Sequence, residues 1–180
     1  MLKPEECVLV VVDVQGQLAR VVQQSERLHQ KLEVLIKGVQ LFDIPILWLE
    51  QLPEKLGPTS DNLAQALVSS CHPISKQHFS AWQASDFRSK LNALPQKQII
   101  LVGIETHICV YQTCIELLEN GYKTHLVVDA TSSREEANKL CGIQMMQASG
   151  AQQTNVESLL FELQQQAMGE RFKALLKLIK

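Results

Sequence analysis

The 180-residue sequence predicts a three-layer α/β/α sandwich on a mainly parallel sheet of about six strands. Two runs, Cys7–Val12 (CVLVVV) and Gln98–Ile104 (QIILVGI), are apolar and largely β-branched without polar alternation, as strands covered on both faces are. Stretches with helical spacing separate the strand-like runs. Such alternation implies right-handed crossovers, and therefore strands that run the same way.

Taken in order, the elements follow from local chemistry. After Cys7–Val12, Ser25 is a plausible N-cap for a helix with Leu28, Leu32, Leu35, Ile36 and Val39 along one face. Pro45 lets a second strand begin at Ile46, running to Leu49 with Glu50 closing it, before a loop holding Pro53, Gly57 and Pro58. A helix over about 61–70 leads to a short extended segment from Pro73 to Lys76, and a weak helical stretch over 84–93 leads to Pro95. Gln98–Ile104 is the clearest buried strand. The helix after it is expected from Thr106 to Leu118, stopped by Asn120 and Gly121. Lys123–Asp129 reads as a strand, Ser133 and Glu136 have capping-box spacing for a helix to about Ala148, and a short strand near Gln152–Thr154 follows. The tail carries Phe172, Leu175, Leu176 and Ile179 on one face, which predicts a C-terminal helix from about 165 to 180. It is expected to close the core or dock on another subunit. No repeat or low-complexity tract interrupts the chain, so one domain over 1–180 is expected.

Composition narrows the function. With 17 Lys plus Arg against 19 Asp plus Glu the formal charge is −2, and no long block of either sign occurs, so nucleic acid and acidic membrane surfaces lose their electrostatic argument. Cys7–Val12 ends at Asp13, far short of the roughly 20 residues a membrane helix needs. The residues before it lack the pattern of an export signal. Five scattered cysteines without a C-x-x-C pair argue against a disulfide framework or zinc ribbon, and a cytoplasmic location is expected.

In parallel sheets, reactive groups gather at the carboxyl ends of strands. Those ends carry Asp13, Glu50, Lys76 and the segment Gly103–Cys109 (GIETHIC). With Thr106 as N-cap, Cys109 takes the third helical position, where free N–H groups and the helix dipole favour a thiolate. A nucleophilic sulfur needs a proton acceptor and a counter-charge, which Asp13 and Lys76 supply if the strands are suitably ordered. Read singly, each has a plain alternative: Asp13 a helix cap, Lys76 a solvated surface residue, Cys109 a packing residue. Cys7, Cys71, Cys114 and Cys141 read as packing residues. His107 and Cys109, two apart on a helix, face different directions, and His72 and His78 flank the Lys76 segment. Phe79, Trp82 and Trp48 are candidates for an aromatic pocket wall or for core packing. No G-x-G-x-x-G or P-loop follows the first strand, so a nucleotide-binding reading ranks low.

The combination of VVDVQ, EQLPEKLGPT, SKQHFSAW and GIETHICVYQTCIELLENGYKTHLVVDATSSR resembles the isochorismatase-like cysteine hydrolases, which include nicotinamidases and N-carbamoylsarcosine amidohydrolases. The similarity covers roughly residues 5–160 in order and spacing. It implies a catalytic triad of Asp13, Lys76 and Cys109, with Cys109 attacking a carbonyl carbon, Asp13 moving the proton and Lys76 holding the charges. It also implies a cis peptide at Ile104–Glu105 and an oxyanion hole from the backbone N–H groups of Glu105 and Cys109. Gln15, Gln51, Phe79 and Glu105 are candidates for the substrate pocket, Glu105 either reading a substrate group or pointing to an interface. Where nicotinamidases carry a metal-binding D-x-H, this chain has Glu50, Gln51 and Leu52, so no metal is expected, and no cofactor. Members that cleave a vinyl ether lack the cysteine, so Cys109 favours an amide, carbamoyl or related acyl substrate. Homo-oligomers are common in the family and one is expected here. The rival reading is a catalytically silent oligomeric scaffold or binding module of the same fold.

Overall fold

Burial on both faces decides the sheet. All six residues of β1 (Cys7–Val12) are buried, and so are those of β2 (Ile46–Gln51). With β3 (Pro73–Lys76), β4 (Gln98–Ile104), β5 (Lys123–Ser132) and β6 (Gln152–Thr154), they form one sheet in the order β3-β2-β1-β4-β5-β6. Every strand pairing is parallel, as the uninterrupted apolar runs predict. The computed structural model describes residues 1–180.

The pleat sends alternate side chains to two helix layers. Leu9, Val11, Ile46, Trp48, Ile100 and Val102 point to one side. There they meet α1 (Gly16–Val21), α2 (Ser25–Gln40), α4 (Asp61–Leu67), α8 (Val156–Gln164) and α9 (Glu170–Ile179). Val8, Val10, Leu47, Leu49, Ile99 and Leu101 face α5 (Ser85–Asn92), α6 (Tyr111–Glu119) and α7 (Glu136–Ala148) on the other side. A one-turn helix, α3 (Pro53–Leu56), follows β2. Each fully buried Leu, Ile or Val contributes about 1.5–3 kcal/mol, so the two layers fix the register of the sheet between them.

The order of the strands positions the site. The chain builds outward from β1 to β3, then returns to place β4 on the other flank of β1. At that reversal the connections leave β1 and β4 in opposite directions, opening a crevice beyond their carboxyl ends. No helix of the chain is long and apolar enough to cross a membrane.

Several local expectations need correction. Ser25 is the first helical residue, not the cap; its hydroxyl donates to the Ala19 carbonyl at 2.7 Å, and Gln24 caps α2 from a left-handed conformation. Thr106 does not cap either, because Thr106–Val110 is a single π-helical turn that passes into α6, and its hydroxyl bonds that of Thr131. Ser133 and Glu136 form no capping box. Ser133 Oγ instead meets His107 Nδ1 at 3.0 Å, and α7 begins without a side-chain cap. Helix α8 has no counterpart in the sequence reading, although Asn155 is a proper N-cap, accepting from Ser158 N at 2.9 Å. The tail helix begins at Glu170 rather than near 165, and it packs within the chain. Leu175 is fully buried, and Phe172 meets Phe161 of α8 edge to face at 6.3 Å.

Candidate active site

Asp13 follows β1 at a bend, with a φ of 52°. The bend turns the carboxylate into the crevice instead of along the strand, and only 4% of Asp13 is exposed. Lys76 ends β3, two strands away, and is buried. Its Nζ donates to Asp13 Oδ2 at 2.6 Å and to Gln51 Oε1 at 2.6 Å, and to the carbonyls of His78 at 3.1 Å and Phe79 at 2.9 Å. A buried ammonium is costly unless every proton finds an acceptor, and this one does.

Two glutamines hold this arrangement in place. Gln15 Nε2 donates to the carbonyls of Gln51 (3.1 Å) and Gly57 (2.7 Å), while its Oε1 accepts from Gln51 N at 2.5 Å. Gln51 Oε1 accepts from Lys76, and its Nε2 donates to the Gln77 carbonyl at 2.9 Å. Both glutamines border the crevice, but their amides are already engaged in joining the ends of β1, β2 and β3. Glu50 stands apart from this network: its carboxylate accepts from Thr59 N and Oγ1, and Trp48 Nε1 donates to that same hydroxyl. The acid at the end of the second strand is thus a loop anchor, and Trp48 belongs to the core.

Cys109 lies in the π turn after β4, 8% exposed. Three ties fix that turn: Thr106 to Thr131, His107 to Ser133, and the close approach of Gly142 on α7. A Cβ on Gly142 would stand 2.8 Å from His107 Cα, so only glycine allows the helix this near. The Ile104–Glu105 peptide bond is cis, and the Glu105 N–H donates to no atom of the chain.

The charges at the site follow from burial. Burial raises the Asp13 carboxyl above its ordinary value, and the neighbouring Lys76 ammonium partly opposes the rise. The Cys109 thiol is pushed up to about 12, first by burial and then by the Asp13 charge, with Lys76 pulling the other way. Burial and the Asp13 charge oppose the thiolate that a helix terminus would favour. Both thus favour the neutral form of the Cys109 thiol, and Asp13 Oδ1 accepts no hydrogen bond of good geometry.

These groups border a cavity of about 110 Å³. Leu18, Leu56, Phe79, Ile104 and Ile108 form its apolar wall, and Asp13, Gln15, Gln51, Glu105 and Cys109 supply the polar atoms. Phe79 is the only aromatic residue of the wall, while Trp82 packs against Tyr122 at 6.0 Å. The sequence reading missed Leu18 and Leu56 because each looks like ordinary helix or loop filling. Among the histidines, His78 contributes only its carbonyl to Lys76, and His107 braces the Cys109 turn. No group of three or more His, Cys, Asp or Glu side chains is placed to hold a metal ion.

Comparison with known proteins places the fold. A mouse protein, isochorismatase domain-containing protein 2A, is 35% identical over 178 residues, covering 98% of this chain and 84% of its own. The solved structure of MAR1 ribonuclease from Caenorhabditis elegans superposes with a TM-score of 0.92 at 31% identity, over 99% of this chain and 91% of that one. The YcaC gene product of Escherichia coli, described as an octameric hydrolase of unknown specificity, shares the fold with a TM-score of 0.87 at 22% identity, over 92% of this chain and 83% of that one. The model of the isochorismatase domain matches residues 7–158, from the first residue of β1 into α8. With that match spanning the sheet and every residue of the crevice, the chain belongs to the isochorismatase family.

Proposed function

We propose that the protein hydrolyses a small amide, carbamoyl or related acyl substrate, acting on a non-peptide C–N bond through a thioester on Cys109. The observation that carries this is Asp13: a buried carboxylate, held through one oxygen by Lys76 and free at the other, coupled to the Cys109 thiol at a cavity with an apolar wall.

The chemistry follows from those positions. As the carbonyl carbon approaches Sγ, the thiol proton moves to Asp13 Oδ1, so attack and deprotonation are coupled. The C–S bond forms and the carbonyl oxygen becomes an oxyanion, for which the N–H groups of Glu105 and Cys109 are the donors. Collapse breaks the C–N bond, and Asp13 returns the proton to the leaving nitrogen. A water molecule then attacks the thioester, giving its proton to Asp13; the C–S bond breaks, Asp13 returns the proton to Sγ, and the acid product leaves. Lys76 keeps the Asp13 carboxylate ionised and oriented through the cycle.

A purely structural role as a scaffold is less well supported, because scaffolding does not require a lysine and an aspartate to be buried together beside a thiol. The Caenorhabditis elegans neighbour is described as a ribonuclease. A cavity of about 110 Å³ and a formal charge of −2 give an RNA strand little to bind here. The octameric state of the Escherichia coli protein supports self-association of this chain. Phe79 and Leu56, 55% and 45% exposed at the rim of the cavity, are surfaces that a second copy would cover. All five cysteines are free, which fits a reducing compartment such as the cytoplasm.

The test is ammonia release from a panel of small primary amides and carbamoyl compounds. Turnover by the wild type that disappears in Cys109→Ala and in Asp13→Asn is the expected result. Undiminished turnover by Cys109→Ala overturns the reading.

A further inference from the structure

Glu105 is charged, 5% exposed, and four residues before the sulfur that carries the proposed chemistry, yet the triad makes no use of its side chain. Its Oε1 accepts from Arg134 N at 3.0 Å and from Arg134 Nε at 3.1 Å, which fixes the orientation of the carboxylate. Its Oε2 has no hydrogen-bond partner in the chain, and it is not among the buried polar atoms sealed from solvent. Glu105 lines the cavity, and its carboxylate is near enough to Cys109 for its charge to act on the thiol. Arg134 approaches from the solvent side, with its side chain 58% exposed, and is not part of the cavity lining.

The charges around the substrate position are therefore uneven. Asp13 and Lys76 form an internal pair that cancels at short range. Glu105 is offset only by an exposed guanidinium, whose charge water screens. What remains at the cavity is a carboxylate oxygen with unused acceptor capacity.

We propose that Glu105 is the specificity-determining residue of this site, selecting neutral or cationic amides that present an N–H donor and rejecting substrates that carry a carboxylate at that end. A donor N–H gains a charge-assisted hydrogen bond to Oε2. A carboxylate meets a like charge and leaves Oε2 desolvated without a partner. This rests on the hydrolase reading above and narrows its substrate class.

The experiment uses two alkylating reagents of the same size and electrophile, iodoacetamide and iodoacetate. In both, sulfur bonds to the methylene carbon, the C–I bond breaks, iodide leaves and the thiol proton is taken up by base. Peptide mass spectrometry gives the ratio of amide to acid labelling rates at Cys109, with the exposed Cys141 of the same molecule as the reference. In the wild type the ratio at Cys109 should exceed that at Cys141 by about tenfold or more, and in Glu105→Gln most of this excess should vanish. The Gln carbonyl can still accept from Arg134, and circular dichroism checks that the variant folds. An excess that persists in folded Glu105→Gln overturns the assignment of specificity to Glu105 while leaving the hydrolase reading intact. Should the variant not fold, the wild type alone decides, because equal ratios at Cys109 and Cys141 overturn the proposal. If neither reagent ever labels Cys109, the hydrolase reading falls and the proposal with it.

Discussion

Lys76 Nζ lies 2.6 Å from Asp13 Oδ2, joining residues 63 positions apart in the sequence at the ends of strands that do not pair with each other. Lys76→Met removes the ammonium and strands a buried carboxylate, at an expected cost of about 3–5 kcal/mol at neutral pH. The loss should shrink in acid. Burial raises the folded-state Asp13 value, so the stability linked to its proton is fully present below the unfolded carboxylate value and is lost as pH rises through the folded one. Urea denaturation of Lys76→Met at neutral and acidic pH checks the sign.

The same shift sets the acid limb of the rate. Asp13 must be ionised to receive the thiol proton, and its value is raised. Activity should therefore fall on acidification at a pH above the ordinary carboxylate range of about 4. A pH profile of kcat/KM reads this directly in the free enzyme.

Thiol reactivity should rank against the nucleophile. Cys141 is exposed, whereas Cys109 is buried with its thiol pushed up to about 12. A bulky aromatic disulfide reagent at neutral pH should consume Cys141 first and leave Cys109 unreacted on that timescale. Time-resolved peptide mapping gives the order.

Gly142→Ala should separate positioning from chemistry. The new methyl would lie 2.8–3.0 Å from backbone atoms of Thr106 and His107, which cannot rotate away, so α7 or the Cys109 turn must shift. A stability loss of about 1–3 kcal/mol is expected, with a larger fall in kcat than rise in KM. Thermal melts and steady-state kinetics, run on the same preparation, check both.

The sheet could be read from the sequence because parallel strands write themselves as unbroken apolar runs; Gln98–Ile104 has the same bounds in the structure as in the sequence. Asp13 follows the first such run, whereas Lys76 closes a short alternating segment and Cys109 lies beyond β4, so strand-end position and the resemblance together singled out the three. Caps were harder, since a hydroxyl has many partners within reach: Ser25 found the Ala19 carbonyl, Thr106 found Thr131 and Ser133 found His107. These last two are tertiary contacts, invisible to local spacing. The surroundings of Cys109 were hidden for a similar reason. Burial and the Asp13 charge both raise its thiol, and neither is apparent from a position in a turn. Gln15 and Gln51 line the cavity, and the sequence does not reveal that their amides also join the strand ends.

The central claim is that Cys109 becomes acylated during turnover, with Asp13 accepting its proton. Acid-quenching the protein while it releases ammonia from an amide of the panel, followed by peptide mass spectrometry, tests this most directly. The account predicts an acyl adduct on the peptide bearing Cys109, labile to hydroxylamine and missing in Asp13→Asn. Steady ammonia release with no adduct on Cys109, continuing in Cys109→Ala, would contradict it.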